Sequence, residues 1–130
     1  MTVYEKRDSF TERLQKMDQE TQSYFNELDK AITQYGSIKS RASLRCVTYR
    51  YEKKVIAKIA IGGKTLKLYL AIDPSTEMFK EGKFHPRDLS NTKAYEQVPS
   101  MLPIKSELAA RKAKSAIQYL ILKEVYHFEF

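Results

Sequence analysis

Residues 55–72 read VIAKIAIGGKTLKLYLAI, two alternating apolar runs on either side of the dipeptide Gly62-Gly63. Alternation with a period of two is typical of a half-buried β-strand. Two glycines between such runs are typical of a tight hairpin turn, because glycine tolerates positive φ angles. The stretch therefore predicts a β-hairpin whose loop is Gly62-Gly63.

The predicted register divides the hairpin between two faces. One face is apolar and holds Val55, Ala57, Ile59, Ile61, Leu66, Leu68 and Leu70. The other places Lys58 opposite Lys67 and Ile56 opposite Tyr69. Like charges opposed across strands are mildly destabilising. Two interpretations are open: an anion-binding sheet face, or a solvated face with flexible lysines.

The net charge of +7 is concentrated in one part of the chain. Residues 37–67 hold nine Lys or Arg residues and one acidic residue, Glu52. Such asymmetry creates a local positive potential that attracts polyanions. The alternative is that these charges serve solubility and the solvation of loops and helices.

Helix signals lie at both ends of the chain. Residues 9–12 form a capping box, and the polar residues 18–21 predict a break between a short helix and a longer one, with a single helix over 9–35 as the alternative. Ser106 caps a last helix from Glu107 to about Lys123. Together with the hairpin, these signals predict an α+β fold: an antiparallel β-sheet with two N-terminal helices and a C-terminal helix packed on one face.

The strand before the hairpin is predicted over residues 44–51, after a polar connection over 39–43. A two-residue turn at 52–53 would place Arg45 and Tyr49 on the same face as Lys58, Lys67 and Tyr69. The same register puts the lone cysteine on the apolar face as a small buried hydrophobe. A slip of one residue would move the whole set of strand residues to the other face.

The rest of the chain predicts one domain over residues 1–130, with a core over 9–123. Residues 75–95 indicate a long loop, and residues 101–104 a short strand that Pro103 restricts to a sheet edge. The tail over 124–130 is hydrophobic and alternating. It could add a strand to the sheet, or it could bind a protein partner or a second copy of the chain.

No catalytic, cofactor or metal motif stands out. The chain has one cysteine, Cys46, and two histidines far apart in sequence, so neither a disulfide nor a metal-ligand spacing is formed. An enzyme with a loop-borne site around Asp73, His85 and Arg87 is the third-ranked hypothesis. No apolar run reaches membrane-spanning length and no signal peptide is recognisable, so a cytoplasmic location without a membrane partner is expected.

Basic side chains interleaved with tyrosines on a sheet are typical of surfaces that bind single-stranded nucleic acid. The sequence therefore predicts a non-enzymatic module that binds a polyanion, most of all nucleic acid. The predicted ligand-binding residues are Lys39, Arg41, Arg45, Lys58, Lys64, Lys67 and Tyr69. The rival hypothesis is a protein-interaction or homo-oligomerisation module that uses residues 126–130 or the aromatic N-terminal helices.

A resemblance rests on several short blocks. They are Arg13-Leu14, residues 39–43, Ala57-Lys58, residues 63–74, residues 83–85, Val98-Pro99 and residues 104–106. From about residue 9 to residue 121 the chain resembles an uncharacterised bacterial domain family recurrent in Firmicutes, which has no assigned activity. More remotely, its order of elements is similar to that of MmcQ/YjbR-like domains, for which DNA binding is suggested. The chain departs from its relatives in three places. It has Leu44 where they often carry an aromatic residue, Gly62 where they often carry arginine, and residues 51–54 where they tend to carry a Gly-Arg turn.

Overall fold

The computed structural model describes residues 9–129, in which six strands form one antiparallel sheet of order β1-β2-β3-β4-β6-β5. The strands are β1 (Ile38–Ala42), β2 (Cys46–Tyr51), β3 (Lys54–Gly62), β4 (Thr65–Leu70), β5 (Arg87–Asp88) and β6 (Ser100–Ile104). The helices are α1 (Phe10–Gln15), α2 (Gln19–Thr33), α3 (Glu77–Glu81) and α4 (Glu107–Glu124). The predicted α+β fold is confirmed.

Side-chain caps fix where α1, α2 and α4 begin. Ser9 caps α1, and the carboxylate of Asp18 accepts the Thr21 N–H at 2.6 Å, which starts α2 and separates it from α1. The Ser106 hydroxyl accepts the Ala109 N–H at 3.1 Å at the start of α4. Each cap satisfies an N–H that has no partner inside its helix. None of the helices in residues 9–129 has the length and apolar character needed to cross a bilayer.

Helices α1, α2 and α4 cover one face of the sheet, called here the inner face. Phe10, Leu28 and Ile117 from these helices share one buried cluster with strand residues such as Ile59 and Leu68. Burial of apolar surface at this interface is the main stabilising contribution to the fold. In residues 9–129 no α-helix contributes to the buried cluster on the opposite, outer face.

The hairpin forms, but its turn lies one residue further on than predicted. Gly62 pairs with Thr65, so the loop is Gly63-Lys64, and Gly63 has a φ of +62°. A two-residue hairpin turn that begins with glycine needs a positive φ at that residue alone, so Gly62 is able to join the strand. The shift also places Ile61 opposite Leu66, which pairs two buried apolar residues.

Moving the turn by one residue shifts the partner of each β3 residue by two residues along β4, which keeps every β4 side chain on its predicted face. Lys58 lies opposite Tyr69, and Lys67 lies opposite Ala60. The predicted opposition of Lys58 and Lys67 is therefore wrong. Both lysines remain on the outer face, on neighbouring strands.

A β-bulge at Ile56 changes the register between β2 and β3. Tyr49 pairs with Ala57 and Arg50 pairs with Val55, so Ile56 is the extra residue. Ile56 and Ala57 both belong to the main core, whereas Val55 packs in a second cluster on the outer face. The predicted faces of Val55 and Ile56 are therefore wrong, because an extra residue reverses the alternation at this point.

The same bulge reverses the predicted faces of β2. Tyr49 was expected on the outer face, but it is 0% exposed in the core, where its hydroxyl donates to Asp29 Oδ1 at 2.7 Å. Burial, and then this hydrogen bond, raise the pKa of the Tyr49 hydroxyl well above its usual value. Cys46 was expected in the core, but it is half-buried on the outer face, with its Sγ 3.7 Å from Thr48 Oγ1.

Residues 39–43, expected to be a connection, largely form the edge strand β1, in which only Ile38 is buried. An edge strand with one buried residue has no apolar alternation, so its pattern resembled a loop. The strand with Pro103 was expected at a sheet edge, but β6 lies between β4 and β5. The two-residue strand β5 pairs only with Ser100 and Met101, so Pro103 has no β5 residue opposite it and its missing N–H costs no ladder bond on that side.

The segment expected to be a long loop, residues 75–95, contains α3, β5 and a 3₁₀ turn over Lys93–Tyr95. It continues into Val98, which packs on the outer face with Val55, Tyr69 and Met101. Tyr95 lies against this second cluster. The loop therefore covers β4, β6 and the Val55 end of β3 on the outer face and leaves β1 and β2 open.

The tail folds back on the end of α4. The Phe128 N–H donates to the Leu122 carbonyl at 2.9 Å, His127 has a φ of +58°, and the Tyr126 ring meets Tyr35 edge-on at 6.0 Å. The tail adds no strand up to residue 129, which answers the open alternative for that part. Phe130, the last residue of the predicted interaction segment, lies outside the described residues.

Candidate functional site

Cations lie on the outer face along a row that crosses the whole sheet. Successive residue pairs place Arg41 opposite Thr48, Thr48 opposite Lys58, and Lys58 opposite Tyr69. The row ends with Met101 and then Arg87 on β5. Neighbouring strands are about 4.8 Å apart, so Arg41 and Lys58 stand roughly 10 Å apart at the backbone.

Two further rows add charge on either side. Lys39 lies directly opposite Arg50, a like-charge pair between β1 and β2. On the other side, Cys46, Ala60 and Lys67 lie in register across β2, β3 and β4. The small side chain of Ala60 leaves space between its neighbours. An opposed pair such as Lys39 and Arg50 costs stability unless an anion lies between the two charges.

None of these cations forms a salt bridge within residues 9–129. The ion pairs found there join Lys54 to Glu124 at 2.8 Å and Arg111 to Glu107 at 3.7 Å. The outer-face cations of β1 to β4 are Lys39, Arg41, Arg50, Lys58 and Lys67, to which Arg45 in the β1–β2 connection is added; Arg87 on β5 lies at the far end of the row. Their charge is therefore not compensated by neighbouring carboxylates of the described chain, and it adds to the local positive potential.

An open groove of about 580 Å³ lies where β3 and β4 approach their turn. Its cationic lining residues are Arg13, Arg45 and Lys67, and its aromatic ones are Tyr69 and Tyr95. Arg13 reaches the groove from α1, where its guanidinium donates to the Ile61 carbonyl at 3.4 Å. A side pocket of about 170 Å³ adjoins the groove and adds Lys58 and Cys46.

The Lys67 side chain lies directly over Gly62. A Cβ placed on Gly62 would meet Lys67 Cε at 2.4 Å and Nζ at 2.7 Å. Glycine at this position therefore provides the space that brings the lysine ammonium to the groove.

Tyr69 and Tyr95 form a stacked pair at the groove wall. Their ring centroids are 4.5 Å apart and their planes differ by 3°. Tyr69 is 6% exposed, and burial, followed by the hydrogen-bonding influence of Tyr95, raises the pKa of its hydroxyl. Because Tyr95 covers the ring of Tyr69, the ring surface available for stacking belongs to half-buried Tyr95.

The structure brings four of the seven predicted residues together, Arg45, Lys58, Lys67 and Tyr69, around the groove and its side pocket. Lys39 and Arg41 share the same face on the edge strand. Lys64 lies apart, in the hairpin loop, where it lines a separate cavity of about 420 Å³ with Arg13.

Sequence reasoning missed Arg13, Arg50 and Tyr95. Arg13 approaches from a helix some 48 residues away in sequence, and no local pattern signals such a contact. Arg50 could have been found by the alternation of β2 once the bulge was known. Tyr95 lies in an irregular segment, and no periodic pattern in the sequence indicates that this segment crosses the sheet.

A cavity of about 640 Å³ at the other end of β4 has the opposite character. Asp73, Asp88 and Glu96 line it, and Lys54 is its one lysine. Hydrogen bonds from the hydroxyl and N–H of Ser75 lower the pKa of Asp73, and an equivalent turn lowers that of Asp88. Of the residues in the third-ranked enzyme hypothesis, only Asp73 lines this cavity. In residues 9–129, no group of three or more His, Cys, Asp or Glu side chains could hold a metal ion.

No protein-family model, curated protein or solved structure matches this chain. The resemblance to the Firmicutes domain family and to MmcQ/YjbR-like domains therefore stays a prediction.

Proposed function

We propose that this protein binds a polyanion, most of all nucleic acid, through the outer face of its sheet. The observation that carries the proposal is the set of outer-face cations, none of which is paired with a carboxylate of the described residues. Six uncompensated cations on one face favour a ligand that carries many negative charges at regular intervals. A nucleic-acid backbone is such a ligand.

The arrangement of the cations supports an extended ligand over a small anion. They extend from edge strand β1 to β4, roughly 14 Å at the usual strand spacing, and then continue into the groove. An aromatic ring, Tyr95, stands at the end of this path. In interfaces with single-stranded nucleic acid, Lys and Arg side chains usually contact the phosphates, and aromatic rings stack on the bases.

Fluorescence anisotropy of labelled single-stranded and duplex DNA and RNA, at low and at physiological salt, tests the proposal. Each neutralised phosphate contributes about 0.7 to the slope of log affinity against log salt for single strands, so Lys58→Ala/Lys67→Ala is expected to flatten the slope by about 1.4. The matched control is Lys80→Ala/Arg111→Ala, which removes the same charge from α3 and α4. Absence of salt-dependent binding at low salt contradicts the proposal, and equal effects of both double variants contradict the assigned face.

A second candidate, self-association through the tail, is favoured by one observation. Tyr126 and Phe128 are 51% and 55% exposed at the end of α4. Truncation after Val125 tests it, with sedimentation as the readout and circular dichroism to check the fold. An oligomer that is lost with the fold intact supports this candidate, and an unchanged sedimentation coefficient removes it.

A further inference from the structure

The groove and its side pocket combine two properties that a flat basic surface lacks. First, no carboxylate of residues 9–129 lines either of them, whereas four cations do: Arg13, Arg45, Lys58 and Lys67. Second, the groove is concave, and its volume of about 580 Å³ is within the size range of sites that enclose a small molecule. The groove can therefore enclose a single anionic group with its neighbouring atoms, whereas the rest of a long polyanion would lie outside it.

The groove wall also carries an aromatic ring in a fixed orientation, on which a flat ring of a ligand could stack. Tyr95 is held parallel to Tyr69, so its orientation is set before any ligand arrives, and its half-buried side chain lines the groove. Leu44 lines the same groove and is 49% exposed, although it is a large apolar residue. An aromatic face and an exposed leucine beside cations suit a ligand with an apolar ring attached to a phosphate.

We infer that the groove binds one nucleotide unit of a single strand, with the base stacked on Tyr95 against Leu44 and the phosphate held by Arg45 and Lys67. This inference rests on the proposed function and narrows it to single-stranded nucleic acid. Bases in a duplex are stacked and paired, so they cannot enter a groove without being unstacked first. The outer-face cations then follow the backbone on either side of the inserted unit.

The test compares a fluorescein-labelled oligothymidylate, an abasic strand of the same length and charge, and a duplex, all at one salt concentration. Because the stacking of one base on an aromatic ring raises affinity by at least about fivefold, the oligothymidylate is expected to bind about five- to tenfold more tightly than the abasic strand. Tyr95→Leu and Leu44→Ser are expected to remove this preference and to leave the affinity for the abasic strand unchanged.

Matched controls are Tyr126→Leu and Leu108→Ser, which alter an exposed tyrosine and an exposed leucine outside the groove. Both controls should retain the preference. Tyr95 contacts the second cluster, so thermal unfolding must accompany its variant, whereas Leu44 is exposed enough to be replaced without loss of core contacts.

The outcomes separate the inference from the proposal on which it rests. Salt-dependent binding that is equal for the oligothymidylate and the abasic strand, or tighter for the duplex, overturns the inference and leaves the basic face in place. A preference that survives both Tyr95→Leu and Leu44→Ser also overturns it. If none of the three probes binds at low salt, both the inference and the proposed function are wrong.

Discussion

The adjacent glycines of the hairpin are predicted to respond in opposite ways to the same substitution. Gly63 has a φ of +62°, so Gly63→Ala forces an alanine into the left-handed region. That conformation costs roughly 1–2 kcal/mol. The loss of flexibility in the unfolded chain offsets about 0.4–1 kcal/mol of this, so a net loss of about 1 kcal/mol in the free energy of unfolding is expected.

Gly62 lies outside the left-handed region, and the atoms that a new methyl group would meet are the last atoms of the Lys67 side chain. A flexible lysine can move away at little cost. Gly62→Ala should therefore keep the stability of the wild type or raise it by up to about 1 kcal/mol, since alanine restricts the unfolded chain. Moving the ammonium out of the groove should at the same time weaken anion binding about as much as Lys67→Ala does.

Urea and thermal unfolding followed by circular dichroism measure the first effect, and anisotropy at low salt measures the second. For a chain of 130 residues, a loss of 1 kcal/mol lowers Tm by about 4 °C. A Gly62→Ala variant that is less stable than Gly63→Ala would contradict the roles assigned to the two glycines. Stability that follows the prediction with unchanged binding in Gly62→Ala would place the Lys67 ammonium outside the binding contacts.

Three further predictions concern the scaffold. Tyr49→Phe leaves half-buried Asp29 without its hydroxyl donor, so the free energy of unfolding should fall by about 1–3 kcal/mol in urea, and an unchanged midpoint would show that the hydrogen bond contributes nothing net. Ser106→Ala removes the cap of α4 and should cost about 1 kcal/mol in the same assay, with recovery in Ser106→Asp. The hydrogen bonds from Thr21 lower the folded-state pKa of Asp18, so its contribution is present above the ordinary pKa near 3.9 and is lost as pH falls through the folded value. Between about pH 5 and 2 the wild type should therefore lose more stability than Asp18→Asn, which caps without titrating, and parallel pH profiles would contradict the argument.

Local signals in the sequence were sufficient for the elements that end in a cap or a tight turn. The caps at Ser9 and Ser106 and the break at Asp18 lie where the pattern indicated, because each depends on hydrogen bonds within three residues. The two faces of β4 were also predictable, because Leu66 and Lys67 alternate without ambiguity. The turn was misplaced by one residue because Gly62 and Gly63 are chemically identical, and only the ladder decides which one joins it.

The sequence predicted four of the residues around the groove, but three apolar residues in β3 prevented a correct prediction of the β2 faces. Val55, Ile56 and Ala57 suit either face of a sheet, so the pattern cannot reveal that an extra residue interrupts the alternation there. Tyr49 was assigned to the outer face on the assumption of an unbroken ladder. Contacts between distant segments, such as those of Arg13 and Tyr95 with the groove, leave no periodic signal at all.

The bulge at Ile56 links the core to the proposed interface. It turns Tyr49 inward to meet Asp29, and by the same rotation it directs Arg50 outward opposite Lys39. An unbroken ladder would have placed an aromatic ring on the outer face and an arginine in the core, where an unpaired charge is very costly. The bulge therefore leaves the outer face of β1 and β2 with three cations and no aromatic ring, so in the proposed interface ring stacking falls to Tyr95 on the covered half. It follows that backbone contacts and base contacts are expected on different strands, so variants in β1 and β2 should change the salt slope without changing the preference for a base.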